Sequence, residues 1–205
     1  MSMRKQNSWQ LKDVIMIAVL GVLFAVIYLA STSLWLVLQA ALTPLGLAPF
    51  AVEVVYGVWF MAGSLAAFIV RRPGAAFIAE FLAAIIEMLM GNFGGPLVVL
   101  FGAIQGAGNE AGFAIFRYRR FNWVSMCLSG ICAAIFSFTA EILTGAAELL
   151  QPGFMLAKLA ARVVSSIIFT GMVCYFAGKG LARSGVLKSY PAGSLYADAE
   201  ILEDE

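Results

Sequence analysis

The chain has 205 residues, of which 62% are hydrophobic and only 12% are charged. A soluble enzyme of this size needs a larger charged surface, so the composition predicts an all-α membrane protein whose apolar surface faces lipid. The formal net charge of +1 gives no indication of nucleic-acid binding, and we expect none. Histidine is absent, which removes HExxH metal sites, Ser-His-Asp triads and histidine proton relays, and we expect neither a metal nor a cofactor.

In chain order, the apolar stretches predict a bundle of about six transmembrane helices, because a spanning helix needs about 20 largely apolar residues. The predicted spans are residues 12–41, 49–70, 74–91, 96–116, 122–147 and 154–182. Segments rich in Gly, Pro and Arg separate them, as turn chemistry requires. The third span is the shortest, and its ends are the least sharply defined.

The basic residues favour one side of the predicted bundle. With the N-terminus inside, the cytoplasmic segments hold all but two of the 13 Lys and Arg residues. They are Arg4, Lys5, Lys12, Arg71, Arg72, Arg117, Arg119, Arg120, Lys179, Arg183 and Lys188. The positive-inside rule therefore predicts a multi-pass inner-membrane protein with an even number of spans and both termini in the cytoplasm. Residues 1–188 form the predicted membrane domain, and 189–205 a disordered acidic cytoplasmic tail.

Several ionisable side chains fall within the predicted spans, where each costs several kcal/mol unless it is paired or hydrated. At helical spacing these and other polar residues share one face of each helix, as Glu80 and Glu87 do on the third span. Such faces, turned inward, build a polar cavity edged by aromatic rings. The predicted substrate-binding residues are Trp35, Gln39, Glu53, Tyr56, Glu87, Asn92, Gln105, Asn109 and Glu141.

The predicted orientation places most of this set in the outer half of the membrane, so the cavity opens outward. Carboxylates, an amide and aromatic rings suit a small, planar, nitrogen-containing molecule. Structural roles compete with this interpretation. Glu141 or Glu148 with Lys158 or Arg162 could form an ion pair between the last two spans. We expect Glu80 and Glu110, nearer the cytoplasm, to pair with arginines. Trp35 and Trp59 could equally be packing residues.

The first span carries a strip of small residues, Ala18, Gly21 and Ala25. Small residues let a second helix approach closely in lipid, so the strip indicates either docking of another membrane protein or ordinary packing within the bundle. The chain has no phosphate-binding loop of the G-x-x-x-x-G-K-[ST] type. If the outward-opening cavity captures a solute for transport, an ion gradient or a partner would drive that transport. The glycines between residues 102 and 112 indicate close helix packing.

The stretches at residues 50–57 (FAVEVVYG), 80–87 (EFLAAIIE) and 106–110 (GAGNE) resemble the YkoE family. These are substrate-binding (S) components of energy-coupling-factor (ECF) vitamin transporters, and the resemblance covers residues 10–190. It implies an ECF S-component-like bundle that captures hydroxymethylpyrimidine, a thiamine precursor, or thiamine itself. It also implies a transmembrane coupling protein and an ATPase with two nucleotide-binding domains as partners. Gly21 and Ala25, with Ala18, would contact the coupling protein, and residues 42–49 would form a lid.

Other functions remain open from the sequence. A stand-alone proton-coupled carrier would use Glu80, Glu87 or Glu110, although no basic or histidine relay accompanies these acids. An intramembrane enzyme is disfavoured because no nucleophile–base pair or metal-ligand set is present. A non-catalytic scaffold would not need aligned polar faces on its helices.

Overall fold

The computed structural model describes residues 8–145 and 151–194, and the regular structure in these parts is entirely helical. The helices are α1 (Leu11–Leu42), α2 (Ala51–Val55), α3 (Met61–Val70), α4 (Ala75–Leu89), α5 (Pro96–Ile115), α6 (Trp123–Leu143), α7 (Pro152–Ser166) and α8 (Cys174–Arg183). Short 3-10 segments cover Thr43–Leu45, Ala48–Phe50 and Tyr56–Phe60, and a π-helical segment, Ile167–Val173, joins α7 to α8. The predicted all-α class is confirmed.

Five stretches of the described chain are long and apolar enough to cross a membrane. They are Leu11–Leu45, Ala48–Val70, Pro96–Ile115, Trp123–Leu143 and Pro152–Arg183. Helix α4 has 15 residues, a length of about 22 Å at 1.5 Å per residue. A hydrocarbon core is roughly 30 Å thick, so α4 is shorter than this core. A crossing by α4, which would bring the total to six, stays a prediction from the sequence. The orientation of the termini stays a prediction as well.

Helix α4 begins at a turn that Glu110 of α5 stabilises. Arg71 ends α3 with a left-handed φ of 54°, and Gly74 follows with a φ of 88°. The Glu110 carboxylate accepts hydrogen bonds from the backbone N–H groups of Gly74 (2.6 Å), Ala76 (3.1 Å) and Phe77 (3.2 Å). These amides have no acceptor within the first turn of their own helix, so Glu110 supplies one. These three bonds are to backbone amides, and the expected pairing of Glu110 with an arginine stays a prediction.

Helix α5 packs closely between α4 and α6, as its glycines predict. A methyl group added at Gly108 would lie 2.5 Å from Cα of Ala133 on α6, and one added at Gly106 would lie 3.0 Å from the carbonyl of Phe77 on α4. Gly112 is similarly covered by the backbone at Ser129. Only a residue without a side chain allows this approach of two backbones.

The small-residue strip of α1 is divided between the inside and the outside of the bundle. Gly21 lies against Leu82 of α4, 3.0 Å from where its Cβ would be, and Ala25 is fully buried. Ala18 is exposed. Both Gly21 and Ala25 are covered inside the bundle, and their docking role stays a prediction from the sequence. Their small size serves packing within the bundle.

After α8 the chain folds back on the start of α1. Leu187 and Ala192 are buried in the core, and the Tyr190 hydroxyl donates a hydrogen bond to the carbonyl of Lys12 at 2.8 Å. The Lys12 ammonium in turn donates to the carbonyl of Ser189. The packed chain thus reaches residue 194, beyond the predicted boundary at residue 188. The remainder of the predicted tail, residues 195–205, lies outside the described residues.

Candidate ligand-binding cavity

A cavity of about 260 Å³ lies between α1, α4, α5 and the irregular segment around α2. Its walls come from helix faces and from the turn at residues 90–95 that joins α4 to α5. The lining residues are Tyr28, Thr32, Trp35, Val52, Tyr56, Trp59, Glu80, Ala84, Glu87, Asn92, Phe93, Gly94, Leu97, Val98, Phe101 and Gln105. Small-molecule sites typically measure roughly 300–1,000 Å³. The volume therefore suits a compound of one or two rings.

Glu80 contributes a buried carboxylate to the cavity wall. Its Oε2 accepts hydrogen bonds from the Tyr28 hydroxyl (3.0 Å) and the Gly63 amide (2.9 Å). Its Oε1 is buried and has no hydrogen-bond partner among the described residues. Since buried polar atoms are nearly always hydrogen-bonded, this oxygen stands as an unsatisfied acceptor in the cavity wall. The bonds to Tyr28 and Gly63 differ from the arginine pairing expected for Glu80.

Glu87, two turns further along α4, is already hydrogen-bonded. Its Oε1 accepts from Asn92 Nδ2 at 2.6 Å and from the Thr32 hydroxyl at 3.3 Å. Asn92 Oδ1 accepts from the Gly94 amide at 2.8 Å, which fixes the turn after α4. Glu87 therefore connects α1, α4 and this turn at one side of the cavity.

Aromatic rings form the rest of the recognition surface. The Trp35 and Trp59 rings meet edge to face with centroids 6.4 Å apart, and Trp59 meets Tyr56 in the same way at 5.4 Å. Phe93, from the turn after α4, lies 5.8 Å from Trp35. Among the described residues that line the cavity, those with a carboxyl group are Glu80 and Glu87. The cavity is thus acidic and aromatic, which suits a flat ligand with N–H donors or positive charge.

The structure brings together only part of the predicted site. Trp35, Tyr56, Glu87, Asn92 and Gln105 line the cavity, whereas Gln39, Glu53, Asn109 and Glu141 are not among the lining residues. The Asn109 side chain is fully buried and donates to the carbonyl of Phe60 at 3.0 Å. Its Oδ1 lies 3.2–3.3 Å from the hydroxyls of Ser64 and Ser129, so Asn109 joins helices instead of facing the cavity.

Glu53 and Glu141 belong to a buried ionic cluster with Lys158 and Arg162. The Arg162 guanidinium contacts both oxygens of Glu53, at 2.6 and 2.8 Å, and also pairs with Glu141. Lys158 Nζ lies 2.9 Å from Glu141 and 3.3 Å from Glu53. Ser137 accepts a further hydrogen bond from Arg162 at 3.3 Å. The ion pair that the sequence left open between the last spans is present for Glu141, while Glu148 lies outside the described residues.

The predicted set omits several residues that line the cavity. They include Tyr28, Thr32, Trp59, Glu80 and Phe93. For Glu80 a signal was available, because it stands seven residues before Glu87 and two turns of a helix return to the same face. Tyr28 and Thr32 gave none, since a single hydroxyl in an apolar helix has many packing explanations.

Comparisons with known proteins define the class of this molecule. Residues 12–136 match the family model described as "ABC-type cobalt transport system, permease component". A solved structure described as "Crystal structure of an S-component of ECF transporter" matches with a TM-score of 0.90 and 31% identity. That match covers 96% of this chain and 98% of the other. The molecule is thus a multi-pass membrane protein with the fold of a transport subunit.

A curated relative gives the particular family. The protein named "Putative HMP/thiamine permease protein YkoE" from Bacillus subtilis (strain 168) is 33% identical over 187 residues. These residues are 91% of this chain and 92% of the relative. The chain belongs to the YkoE family, as the resemblance in its sequence indicated.

Proposed function

We propose that this chain is the substrate-binding membrane subunit of an ATP-driven ECF importer, and that it captures hydroxymethylpyrimidine or thiamine from outside the cell. The relative's name refers to HMP and thiamine, and the matching structure is described as an S component. The cavity supports the proposal through its size, its aromatic walls and its acidic character. Its lining supplies hydrogen-bond donors and acceptors for a small flat ligand. The described lining residues include no pair of a nucleophile and a base.

The buried oxygen of Glu80 that lacks a hydrogen-bond partner, Oε1, is the observation that carries this proposal. An aminopyrimidine has an exocyclic amino group that donates hydrogen bonds, and its flat ring stacks on aromatic side chains. A hydrogen bond from that amino group to Glu80 Oε1 would satisfy the buried oxygen, while Trp35, Tyr56 and Trp59 contact the ring. The positive charge of thiamine would be favoured by the same acidic surroundings.

The proposed importer works in a bacterial cytoplasmic membrane with both termini of this chain in the cytoplasm. The sequence contains no phosphate-binding loop, so a separate ATPase with two nucleotide-binding domains and a transmembrane coupling protein would supply the work. Ala18 stays in this proposal as a docking residue, because it remains exposed on α1. The proposal also keeps residues 42–49 as a lid over the cavity, as the family resemblance implies.

Tryptophan fluorescence tests the proposed ligand. The chain has 4 tryptophans, of which Trp35 and Trp59 line the cavity. Replacing Trp9 and Trp123, which are partly exposed, with Phe leaves the cavity pair as the only reporters. We expect hydroxymethylpyrimidine or thiamine to quench this emission saturably in detergent without ATP. The same pyrimidine without its amino group should bind much more weakly, and absence of saturable quenching by all three compounds would refute the proposed ligand class.

A further inference from the structure

The buried ionic cluster contacts the cavity through one aromatic ring. Cζ of Arg162 lies 3.6 Å from the centroid of the Tyr56 ring, and Arg162 itself has no exposed surface. Tyr56 also lines the cavity and meets the edge of Trp59, which in turn meets Trp35. The Tyr56 ring therefore separates a fixed guanidinium from the space that a ligand would occupy.

The geometry of Arg162 is that of a fixed support. Glu53 accepts hydrogen bonds from Nε and Nη2 of the guanidinium, Glu141 also accepts from Nη2, and Ser137 accepts from Nη1. A guanidinium held in one plane by several acceptors has little freedom to move, and it attracts the face of an aromatic ring. Its position over Tyr56 thus restricts the ring to one orientation.

We propose that Arg162 is a positioning residue for the ligand cavity, acting through the ring of Tyr56. This inference rests on the proposed function, since it concerns the same cavity. Arg162 does not line the cavity and would touch no ligand. Its effect on binding comes from presenting Tyr56, and through it Trp59, in the orientation that a flat ligand requires.

The backbone near Tyr56 is held independently of Arg162. The Ser165 hydroxyl of α7 accepts a hydrogen bond from the Gly57 amide at 3.0 Å and donates one to the carbonyl of Val54 at 2.8 Å. Replacement of Arg162 therefore leaves this segment attached to α7. The expected change is a rotation of the Tyr56 ring, with the backbone in place.

Lys158 provides a matched control within the same cluster. It binds the same two carboxylates as Arg162, Glu53 and Glu141, and it is also buried. The cation–aromatic contacts of the described structure pair Tyr56 with Arg162 and not with Lys158. A purely structural role of the cluster would make both cations matter for binding, whereas positioning of Tyr56 requires Arg162 alone.

The test is a double-mutant cycle on the full chain in detergent, with thiamine and hydroxymethylpyrimidine as probes. We expect R162K to weaken binding about tenfold or more, because an ammonium lacks the planar guanidinium that stacks on the Tyr56 ring and is held by several acceptors. In a Tyr56→Leu background the same change should have little further effect. K158Q should lower the melting temperature but leave the affinity nearly unchanged. Equal losses for R162K with and without Tyr56, or a comparable loss in K158Q, would overturn the proposal.

Near-UV circular dichroism of the ligand-free protein gives a second readout that does not depend on the proposed substrate. R162K should change the aromatic signal, while K158Q should not. If the wild type binds neither probe, the proposed function fails, and this spectrum alone decides whether Arg162 orients the rings. If R162K does not fold, E53Q replaces it, because it removes the two-oxygen support of the guanidinium and should change the same signal. Unchanged spectra in these variants would contradict the inference.

Discussion

Glu80 and Glu87 stand on one face of α4, yet their surroundings assign them different tasks. Oε1 of Glu87 accepts hydrogen bonds from Thr32 and Asn92, so these bonds connect α1 to the turn after α4. Glu80 keeps one oxygen without a partner in the described structure. A buried acceptor without a partner gains most from a new donor, because no other hydrogen bond satisfies it.

At the scale of single residues, we expect E80Q to weaken ligand binding more than E87Q. A hydrogen bond that satisfies a buried acceptor contributes about 1–3 kcal/mol, which corresponds to roughly 5- to 150-fold in affinity. E87Q should cost less, because Thr32 and Asn92 hold Glu87 through Oε1 and its other oxygen is not among the buried atoms without a partner. Titration of both variants by tryptophan quenching measures the difference. An equal or larger loss in E87Q would mean that Glu80 is not the main ligand contact.

At the scale of helices, α5 illustrates how glycine determines packing in lipid. The space that a side chain would need at Gly108 is filled by the backbone of α6, and at Gly106 by the carbonyl of Phe77 on α4. Apolar burial drives little association within a membrane, so close backbone contact has to supply it. The same helix carries Gln105 to the cavity, which makes its position relevant to the site.

Replacing Gly108 with Ala should therefore destabilise the bundle. The added methyl would lie 2.5 Å from Cα of Ala133, and overpacking of this kind typically costs about 1–3 kcal/mol. Gly180 of α8 is the control, because a methyl group added there would meet no packing neighbour within 4 Å. We expect Gly108→Ala to lower the melting temperature in detergent by several degrees and Gly180→Ala to leave it unchanged or slightly higher. Equal shifts would show that the α5–α6 contact is looser than described.

At the scale of the whole molecule, the cavity lies in a bundle whose described part includes no nucleotide-binding domain. The proposed function makes capture and energy supply separate tasks and assigns the second to partner proteins. The carrier alternative instead makes the acids of α4 and α5 take up protons themselves. The two mechanisms differ in what the isolated chain can do.

Reconstitution into vesicles distinguishes these mechanisms. We expect the chain alone to bind thiamine or hydroxymethylpyrimidine but not to accumulate it under a pH gradient. Addition of the coupling protein and the ATPase, with ATP, should produce accumulation, and an ATPase variant that cannot hydrolyse ATP should not. Accumulation by the chain alone, driven by protons, would favour the carrier.

The sequence by itself determined the class, the family and the approximate positions of the long uninterrupted helices. Hydropathy and turn residues act locally, so residues 12–41 and 96–116 already mark α1 and α5 to within a residue or two. Gly21 and Ala25 show the limit of that locality, because a small residue fits either a partner or a neighbouring helix. Only the tertiary structure decided that the bundle itself covers them.

The tertiary structure also decided which acids face the cavity. Glu53 has no basic residue on its own helix, but Arg162 reaches it from 109 residues further along the chain. Glu80 was expected to pair with an arginine, but Tyr28 and the Gly63 amide hold one oxygen and leave the other open. The cost of burying charge in lipid requires that such groups find partners or water. Which partner each one finds depends on contacts between helices far apart in sequence.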